Sequence, residues 1–364
     1  MNALPGAGGG VDRGRPVLAL DLGASRLRAA LVGPDGSILS RAEVPSATER
    51  GPAAVLEDVV ALLAEVRALG SRAAPSRSPG VPTPAAPGGA ASTTPRISPA
   101  SPIGIGISAI GPVDFRAGII VDPPNADRSF RDVPVVAELE RRLGLPAFLD
   151  RDTNVALLGE LAFGAARGVD DVVYLTVSTG IGGAVLAAGV LLHGPDGTAG
   201  ELGHLLVELD GPPCGCGARG HLEAIASGSG IARAAREAVR AGASPMLAEV
   251  AERVGPHRLS AADVSAAEDA GDRTAAEIMG HARRAFAAAM VTIADVFDPT
   301  LVVVGGSIAL AQGDRWLGPA RAAVRETAFR APARRARIVP AALGDDVSLV
   351  GCLPLVWRRM AGAD

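Results

Sequence analysis

The chain has 364 residues, of which 48% are hydrophobic, and it carries a formal net charge of −4 at pH 7. A chain of this length and apolar content can bury a large core and is expected to form two domains. The acidic balance and the lack of a basic stripe argue against nucleic-acid binding, and no apolar run approaches the roughly 18 residues of a membrane span. With only three cysteines and no signal-peptide pattern, we expect a cytoplasmic protein without a disulfide framework.

The N-terminal part of the chain is predicted to open with a β-meander and a helix. Apolar runs at 17–22, 27–32 and 38–44 are separated by turn signals, and apolar residues at helical spacing follow over 52–69. The next segment, 71–102, is rich in Pro, Ala, Ser and Gly and has almost no bulky apolar side chain. It is predicted to be a disordered insertion. A segment that binds proline-recognising partners is the alternative interpretation.

Strands and helices alternate in the rest of the chain. The sequence predicts strands from 103 into a Gly-Pro turn and at 119–121, 146–150, 172–177, 183–188 and 301–304. It predicts helices at 133–143, 154–164, 274–297 and 349–360. This alternation is typical of an α/β fold.

Three glycine-containing turns each follow a predicted strand, at 21–25, 178–183 and 305–307. Glycine lets backbone amides approach a phosphate closely, and a carboxylate at a strand end, such as Asp21, can hold Mg²⁺. An ordinary strand-to-strand turn explains each of them taken alone. Their order along the chain favours two similar halves that close on a nucleotide.

Asp152 lies at a predicted strand-to-helix junction within the run Leu-Asp-Arg-Asp-Thr-Asn at 149–154. A carboxylate in this position can accept the proton of a hydroxyl group while its oxygen attacks phosphorus. An aspartate before a helix is more often an N-cap. The residues around Asp152 leave both roles open.

Cysteine and histidine are concentrated in one segment, because five of the chain's eight Cys and His residues fall within 193–221. Within it, His204, Cys214, Cys216 and His221 are of the residue types that bind a tetrahedral zinc ion. The sequence therefore predicts a zinc site in this segment.

Two glutamates bracket the predicted zinc site, Glu201 before it and Glu223 after it. Carboxylates accept hydrogen bonds from hydroxyl groups, and a zinc-bound histidine such as His204 can offer its second ring nitrogen to a ligand. This set suits a polyol. Solvated surface acids are the alternative interpretation of the two glutamates.

Taken together, these motifs resemble the ROK family (repressors, open reading frames and sugar kinases) of the actin-like ATPase superfamily. The matching stretches are DLGASRLRAALVGPDG, IGIGISAIGPVD, PPNADRSFRDVPV, LGLPAFLDRDTNVALLGE, STGIGGAVL, AGELGHLLV, CGCGARGHLEAIASG and DPTLVVVGGSIA. They cover nearly all of the chain apart from the first 15 or so residues and the insertion. The pairing of the Gly-Glu-x-Gly-His segment with the Cys-x-Cys-Gly-x-x-Gly cluster is highly specific to this family.

The resemblance implies a fold and a domain division. It implies two actin-like ATPase (ribonuclease H-like) α/β domains with a cleft between them and a structural zinc site. We expect a disordered tail at 1–16, a small domain formed by 17–152 and 346–364, and a large domain at 153–345 that holds the zinc.

The resemblance also implies roles for individual residues. Asp152 would be the catalytic base. ATP phosphates and Mg²⁺ would meet Asp21, Gly23, Ser25, Thr179, Gly180 and Gly182, and the adenosine would lie near Gly305 and Gly306. Sugar hydroxyls would meet Asn125, Asp152, Glu201, His204 and Glu223, with Arg151 at a further sugar-contact position. Zinc would be held by His204, Cys214, Cys216 and His221.

Four residues depart from the family pattern. His221 stands where cysteine is usual, and zinc accepts either. Ser178 and Ala24 stand where the family's phosphate turns have glycine. Arg151 stands where the family has a sugar-contacting asparagine, and arginine is larger, charged and unable to accept a hydrogen bond. Arg151 therefore leaves the identity of the sugar open.

The resulting expectation is an ATP-dependent kinase of glucose or a related or N-acylated hexosamine, acting on the 6-hydroxyl. The alternative is a catalytically weakened sugar-binding or regulatory protein. Repressors of the family carry a helix-turn-helix module before the first phosphate loop, and only 20 residues precede Asp21 here, so we expect no DNA-binding module. The family pattern further implies a homodimer or homotetramer.

Overall fold

The structure of the protein, a computed structural model, describes residues 11–73, 101–123 and 126–362. The chain forms two compact units. One is the continuous segment Thr153–Val347, and the other combines the chain before Thr153 with the segment after Val347. We refer to them as the C-terminal unit and the N-terminal unit. Asn125 and positions 74–100 of the predicted insertion lie outside the described residues.

The N-terminal unit is built on a five-stranded mixed sheet with the order β3-β2-β1-β4-β7. Its elements are β1 (Val17–Leu22), β2 (Arg26–Val32), β3 (Ile38–Pro45), α1 (Pro52–Ala73), β4 (Ile105–Ala109), β5 (Val113–Asp114), β6 (Ile119–Ile120), α2 (Val135–Leu143) and β7 (Ala147–Arg151). Strands β1 and β4 are buried along their whole length, as expected for central strands covered on both faces.

The C-terminal unit is built on a second five-stranded sheet with the order β10-β9-β8-β11-β12. Its elements are α3 (Asp152–Phe163), β8 (Val172–Val177), β9 (Ile181–Ala187), β10 (Val190–Leu191), α4 (Leu222–Ala226), α5 (Gly228–Arg240), α6 (Pro245–Val254), α7 (Ala261–Asp269), α8 (Arg273–Phe297), β11 (Leu301–Gly305), α9 (Ser307–Gln312), α10 (Asp314–Thr327), α11 (Ala331–Arg334) and β12 (Arg337–Pro340). A last helix, α12 (Val347–Met360), returns the chain to the N-terminal unit.

The two sheets share one topology. In each, the first strand pairs antiparallel with the second and parallel with the fourth, so β1, β2 and β4 correspond to β8, β9 and β11. The outer parallel strands β7 and β12 correspond in the same way. The α/β prediction is confirmed, and the repeated topology agrees with the expectation of two similar halves.

Helix α8 lies at the centre of the C-terminal core. Met279, Phe286, Met290 and Ile293 are buried along it, and Phe286 packs on Trp316 of α10 with ring centroids 5.5 Å apart. Most of its other buried positions are alanines, whose small side chains let the neighbouring helices approach closely. The regular spacing of these buried apolar residues is the signal from which so long a helix could be predicted.

Helix α1 is longer than predicted. The prediction ended it at Leu69 and placed 71–73 in a disordered insertion, whereas the backbone is helical to Ala73. Gly70 lies within the helix, at a position where a Cβ would approach Leu31 Cδ2 to 2.3 Å.

Other boundaries differ by a few residues. Helix α2 begins at Val135 instead of 133, because Val133 forms a bridge with Ile120. Helix α3 begins at Asp152, two residues earlier than predicted, directly after β7. The helices between 228 and 269 were not predicted. Among the described residues, no helix is long and apolar enough to cross a membrane.

Glu160 of α3 is a buried carboxylate that fixes two loops of the C-terminal unit. Oε1 accepts hydrogen bonds from the backbone N–H groups of Ala342 and Leu343 at 2.9 and 3.0 Å. Oε2 accepts one from the N–H of Ala165 at 2.7 Å. The carboxylate therefore joins the segment directly after α3 to the loop that contains Ala342 and Leu343.

Replacing Glu160 with Ala is expected to destabilise the protein by about 2–3 kcal/mol, because it leaves three partly buried backbone N–H donors without their carboxylate acceptor. Urea unfolding followed by circular dichroism measures the effect. Glu138→Ala on the exposed face of α2 is the control. Equal midpoints for the Glu160→Ala variant and the parent protein would contradict this role.

Candidate active site

The first glycine turn joins β1 to β2 and carries Asp21 at the end of the first strand. Strand pairing places Arg28 opposite Asp21, and its Nε and Nη2 lie 2.8 and 2.6 Å from Asp21 Oδ2. Ser108 on β4 donates its hydroxyl to Asp21 Oδ1 at 3.3 Å. Gly23 donates its N–H to the carbonyl of Arg26, and a Cβ at Gly23 would lie 3.0 Å from that oxygen. Two neighbouring strands thus hold the carboxylate in place.

Ala24 and Ser25 form the exposed part of this turn. The Ser46 hydroxyl donates to the Ala24 carbonyl, and the Ser46 N–H donates to the Ser25 carbonyl at 3.1 Å. Ser25 is exposed. The alanine at position 24 is therefore accommodated in a turn whose carbonyl groups are hydrogen-bonded.

The second glycine turn joins β8 to β9 at the position in its sheet that corresponds to the first turn. It is closed by a hydrogen bond from the Ser178 N–H to the Gly180 carbonyl at 2.9 Å. The N–H groups of Gly228 and Ser229, at the start of α5, donate to the carbonyls of Ser178 and Thr179 at 2.8 and 3.1 Å. The Ala-Ser-Gly-Ser-Gly run at 226–230 therefore supports this turn.

Glu223 also contacts the second turn. Its Oε2 accepts a hydrogen bond from the Ile181 N–H at 2.8 Å. A Cβ at Gly180 would lie 2.7 Å from the same oxygen, and a Cβ at Gly182 would lie 2.7 Å from Thr153 Cγ2. A side chain at either glycine would therefore force Glu223 or Thr153 to shift.

The third glycine turn follows β11 and contacts the second. Gly306 has φ +90°, and a Cβ on it would lie 2.4 Å from the Val177 carbonyl oxygen. Ser307 then begins α9, and its hydroxyl lies 3.0 Å from the Ser178 hydroxyl. Ser178 therefore links the two turns.

A cavity of about 740 Å³ opens beside the second and third turns. Its lining is mostly apolar with several hydroxyl groups, and the volume is in the range of small-molecule sites. The lining includes Ser178, Thr179, Gly228, Ser229, Ser260, Ser265, Asp269, Met279, Ser307, Ile308 and Gln312. Hydroxyls, backbone amides and an apolar wall together suit a nucleoside phosphate.

The predicted zinc ligands converge in the C-terminal unit. His204, Cys214, Cys216 and His221 offer ligand atoms that all lie within 4.8 Å of one another. The two histidine Nδ1 atoms are 3.2 Å apart, Cys214 Sγ is 3.8 Å from His204 Nδ1, and Cys216 Sγ is 3.3 Å from His221 Nδ1. A tetrahedral zinc ion would separate its ligand atoms by roughly 3.3–3.8 Å. The four side chains therefore fit zinc, including the histidine at position 221.

The ring of His204 has two different neighbours. Nδ1 faces the other candidate ligands, whereas Nε2 lies 4.0 Å from Glu201 Oε2. Glu223 follows His221 by two residues in the first turn of α4. Zinc bound by this cluster would therefore fix the loop that carries Glu201 and the helix that carries Glu223.

Removing zinc is expected to destabilise the segment that carries Glu201 and Glu223. Incubation with 1,10-phenanthroline should release about one zinc ion per chain, measured by atomic emission, and lower the melting temperature. Burial raises the pKa of the Cys214 thiol, so zinc binding displaces a proton and zinc loss should increase as the pH falls. Cys216→Ser should reproduce the loss and His257→Ala, outside the cluster, should not. Full zinc retention in Cys216→Ser would exclude this ligand set.

The predicted catalytic aspartate lies at the end of the N-terminal unit. Strand β7 ends at Arg151, and Asp152 is the first residue of α3. Asp150 is buried and accepts hydrogen bonds from the Arg151 N–H at 2.8 Å and from Arg359 Nη2 at 3.2 Å. The Arg151 side chain is 3% exposed, and a Cβ on Gly111 would lie 3.3 Å from its Cδ. Arg151 thus packs along the Gly111-Pro112 turn.

Comparison with known proteins identifies the family. A family model described as the ROK family matches residues 95–359. The chain belongs to the ROK family. It is 32% identical to a glucokinase of Thermotoga maritima over 95% of this chain and 98% of that protein. It is 33% identical to an N-acetylmannosamine kinase of Escherichia fergusonii over 81% of this chain and 84% of that protein.

A solved structure is similar over nearly the whole of this ROK protein. It is a ROK family glucokinase from Streptomyces griseus in complex with glucose and AMPPNP. The sequence identity is 28% and the TM-score 0.71, with 93% of this chain and 98% of that chain covered. The fold assignment therefore rests on both the sequence and the structure.

The ROK protein's predicted site residues form separate groups. Thr179, Gly180 and Gly182 lie in the second turn with Glu223, and Gly305 and Gly306 lie beside them. Asp21, Gly23 and Ser25 form the first turn, and Asn125 lies outside the described residues. Arg28 and Ser108 were not predicted, and neither was the contact of Ser307 with Ser178, because these roles depend on strand register and on contacts between distant segments.

Proposed function

We propose that this ROK protein is an ATP-dependent kinase that transfers a phosphoryl group to a hexose, on the 6-hydroxyl. The observation that carries the proposal is the meeting of the second and third glycine turns beside the 740 Å³ cavity. Oriented backbone amides at glycine turns suit phosphates, and the cavity volume suits the attached nucleoside. The glucokinase and N-acetylmannosamine kinase relatives support a hexose as the acceptor.

In the proposed reaction Asp152 is the general base. Its carboxylate takes the proton of the sugar hydroxyl as the oxygen bonds to the γ-phosphorus of ATP, and the bond from that phosphorus to the β-phosphate oxygen breaks to leave ADP. Backbone amides of the second turn would stabilise charge on the phosphate oxygens.

Mg²⁺ would be held at Asp21, directly or through water, where carboxylate and hydroxyl oxygens from Asp21 and Ser108 provide the hard ligands that the ion prefers. When bound, it supplies charge neutralisation of the phosphates. Thr179 and Gly180 contribute backbone groups, and Gly305 and Gly306 let the chain pass close to the nucleotide.

The sugar would be bound through its hydroxyl groups by Glu201, His204 and Glu223, with Asn125 and Arg151 as further contacts. Glucose and an N-acylated hexosamine are the two acceptors that the relatives suggest. The zinc held by the Cys/His cluster would be structural. We also expect a cytoplasmic homodimer or homotetramer with no nucleic-acid or membrane partner, which light scattering of the purified protein tests for the oligomer.

The alternative is a sugar-binding or regulatory protein with little turnover, suggested by Ser178, Ala24 and Arg151. The hydrogen bonding of the turns favours the kinase instead, because the Ser178 hydroxyl contacts that of Ser307 and the Ala24 carbonyl is bonded by Ser46. Neither substitution opens its turn. Arg151, in contrast, would affect which sugar is accepted and not whether phosphoryl transfer occurs.

An assay on a panel of sugars tests the proposal. ADP production with glucose, mannose, N-acetylglucosamine and N-acetylmannosamine is coupled to NADH oxidation, with a no-sugar reaction as the blank. At least one hexose should give turnover of about 1 s⁻¹ or more. Calorimetry that detects sugar binding without turnover on any of them would favour the alternative.

A further inference from the structure

The Asp21 carboxylate forms an ion pair with the guanidinium of Arg28. The register of β1 and β2 makes Asp21 and Arg28 direct cross-strand partners. Both Nε and Nη2 of the guanidinium contact the same oxygen, Oδ2, at 2.8 and 2.6 Å. The Arg28 and Asp21 side chains are only 20% and 12% exposed, so water and salt screen this pair less than an exposed pair.

The second carboxylate oxygen is also occupied. Ser108 donates its hydroxyl to Oδ1 at 3.3 Å, so both oxygens of Asp21 have a donor. A magnesium ion requires near-octahedral oxygen ligands and carries two positive charges, which the adjacent guanidinium repels. A magnesium ion and the Arg28 guanidinium therefore require the same Asp21 carboxylate.

We propose that Arg28 competes with the divalent cation for Asp21 and so raises the concentration of metal that the protein needs. Arg28 is a positioning residue in this account: it acts on the metal through the Asp21 carboxylate. The inference rests on the proposed function for the assignment of Asp21 as the metal-holding residue.

Arg26 provides a matched comparison on the same strand. It lies two residues before Arg28 and on the same face of β2, since side chains of a strand alternate between its two faces. Its side chain is 69% exposed and pairs with Glu43 of β3 at 3.6 Å. Arg26→Ala therefore removes the same charge from the same strand without touching Asp21.

Titration of the full-length, zinc-loaded protein with Mn²⁺ alone tests the proposal, with free Mn²⁺ followed by electron paramagnetic resonance. Mn²⁺ is a spectroscopic substitute for Mg²⁺ at oxygen ligands. Arg28→Ala and Arg28→Gln should each lower the dissociation constant at least about five-fold, because a competing charge is removed. Arg26→Ala should match the parent protein, and Asp21→Asn should lose the site.

Unchanged or weaker Mn²⁺ binding in Arg28→Gln would overturn the proposal, as would undiminished binding in Asp21→Asn. Arg28→Gln keeps much of the side-chain volume, so its Mn²⁺ dissociation constant tests the proposal even if Arg28→Ala does not fold. Parallel kinase assays separate the two proposals. Tighter Mn²⁺ binding in a protein that phosphorylates no sugar would reject the proposed function alone, whereas unchanged Mn²⁺ binding in an active kinase would reject only the role of Arg28.

Discussion

Asp152→Asn is expected to lower kcat about 10³-fold while leaving the affinities for sugar and nucleotide within a few-fold of the parent values. An asparagine amide has nearly the same shape but cannot accept the hydroxyl proton. Steady-state kinetics measures kcat, and calorimetry with AMP-PNP measures nucleotide binding. Asparagine caps a helix about as well as aspartate does, so a role limited to capping predicts no change in kcat or stability, whereas a role as base predicts the fall in kcat.

The control for Asp152→Asn is Asp35→Asn, which removes a carboxylate from an exposed turn of the same unit, where Asp35 bonds to Ser37. This variant should retain full activity. If Asp152→Asn also retains full activity with an unchanged melting temperature, Asp152 is not the base, and the transfer mechanism proposed above is wrong.

Glu223→Ala is expected to lower kcat/KM for the sugar about 10²-fold or more and to raise KM for ATP as well. The first effect follows from the loss of a proposed sugar contact. The second follows from the hydrogen bond between Glu223 Oε2 and the Ile181 N–H, which holds the second glycine turn, where we propose that the ATP phosphates bind. A single carboxylate thus connects the proposed sugar site to the proposed nucleotide site within the C-terminal unit.

Glu223→Gln separates these two effects. Its amide oxygen can still accept the Ile181 hydrogen bond, so KM for ATP should remain near the parent value while kcat/KM for the sugar falls. Glu208→Ala is the matched control, because Glu208 is an exposed glutamate near the cluster that pairs with His281. Equal ATP KM values for Glu223→Ala and Glu223→Gln would exclude the structural coupling.

Local signals in the sequence predicted much of the fold. The apolar run at 17–22 followed by Asp-Leu-Gly marks a strand and a turn without tertiary information, and the spacing in α8 marks a long helix. The end of α1 shows the limit of such signals. Apolar spacing predicted an end at Leu69, whereas the helix continues to Ala73 through Gly70, which packs closely against Leu31 of β2.

The site was predictable to the extent that its residues are close in sequence. Four candidate zinc ligands within 204–221 could be found by residue type and spacing. The contact between Ser178 and Ser307 joins residues 129 positions apart, and the pair of Asp21 with Arg28 depends on strand register. The wall of the cavity formed by α7 could not be predicted either, because no signal in its sequence distinguishes a helix that lines a cavity from an ordinary surface helix.

Phosphoryl transfer from ATP to a hexose hydroxyl is the reaction that we propose for this ROK protein. Phosphorus-31 NMR of the zinc-loaded protein with Mg²⁺, ATP and the best sugar of the panel tests it most directly, because it identifies both products in one spectrum. We predict equal amounts of ADP and a hexose 6-phosphate, with little inorganic phosphate. A spectrum in which ATP persists unchanged, or is converted only to ADP and inorganic phosphate, would contradict the account.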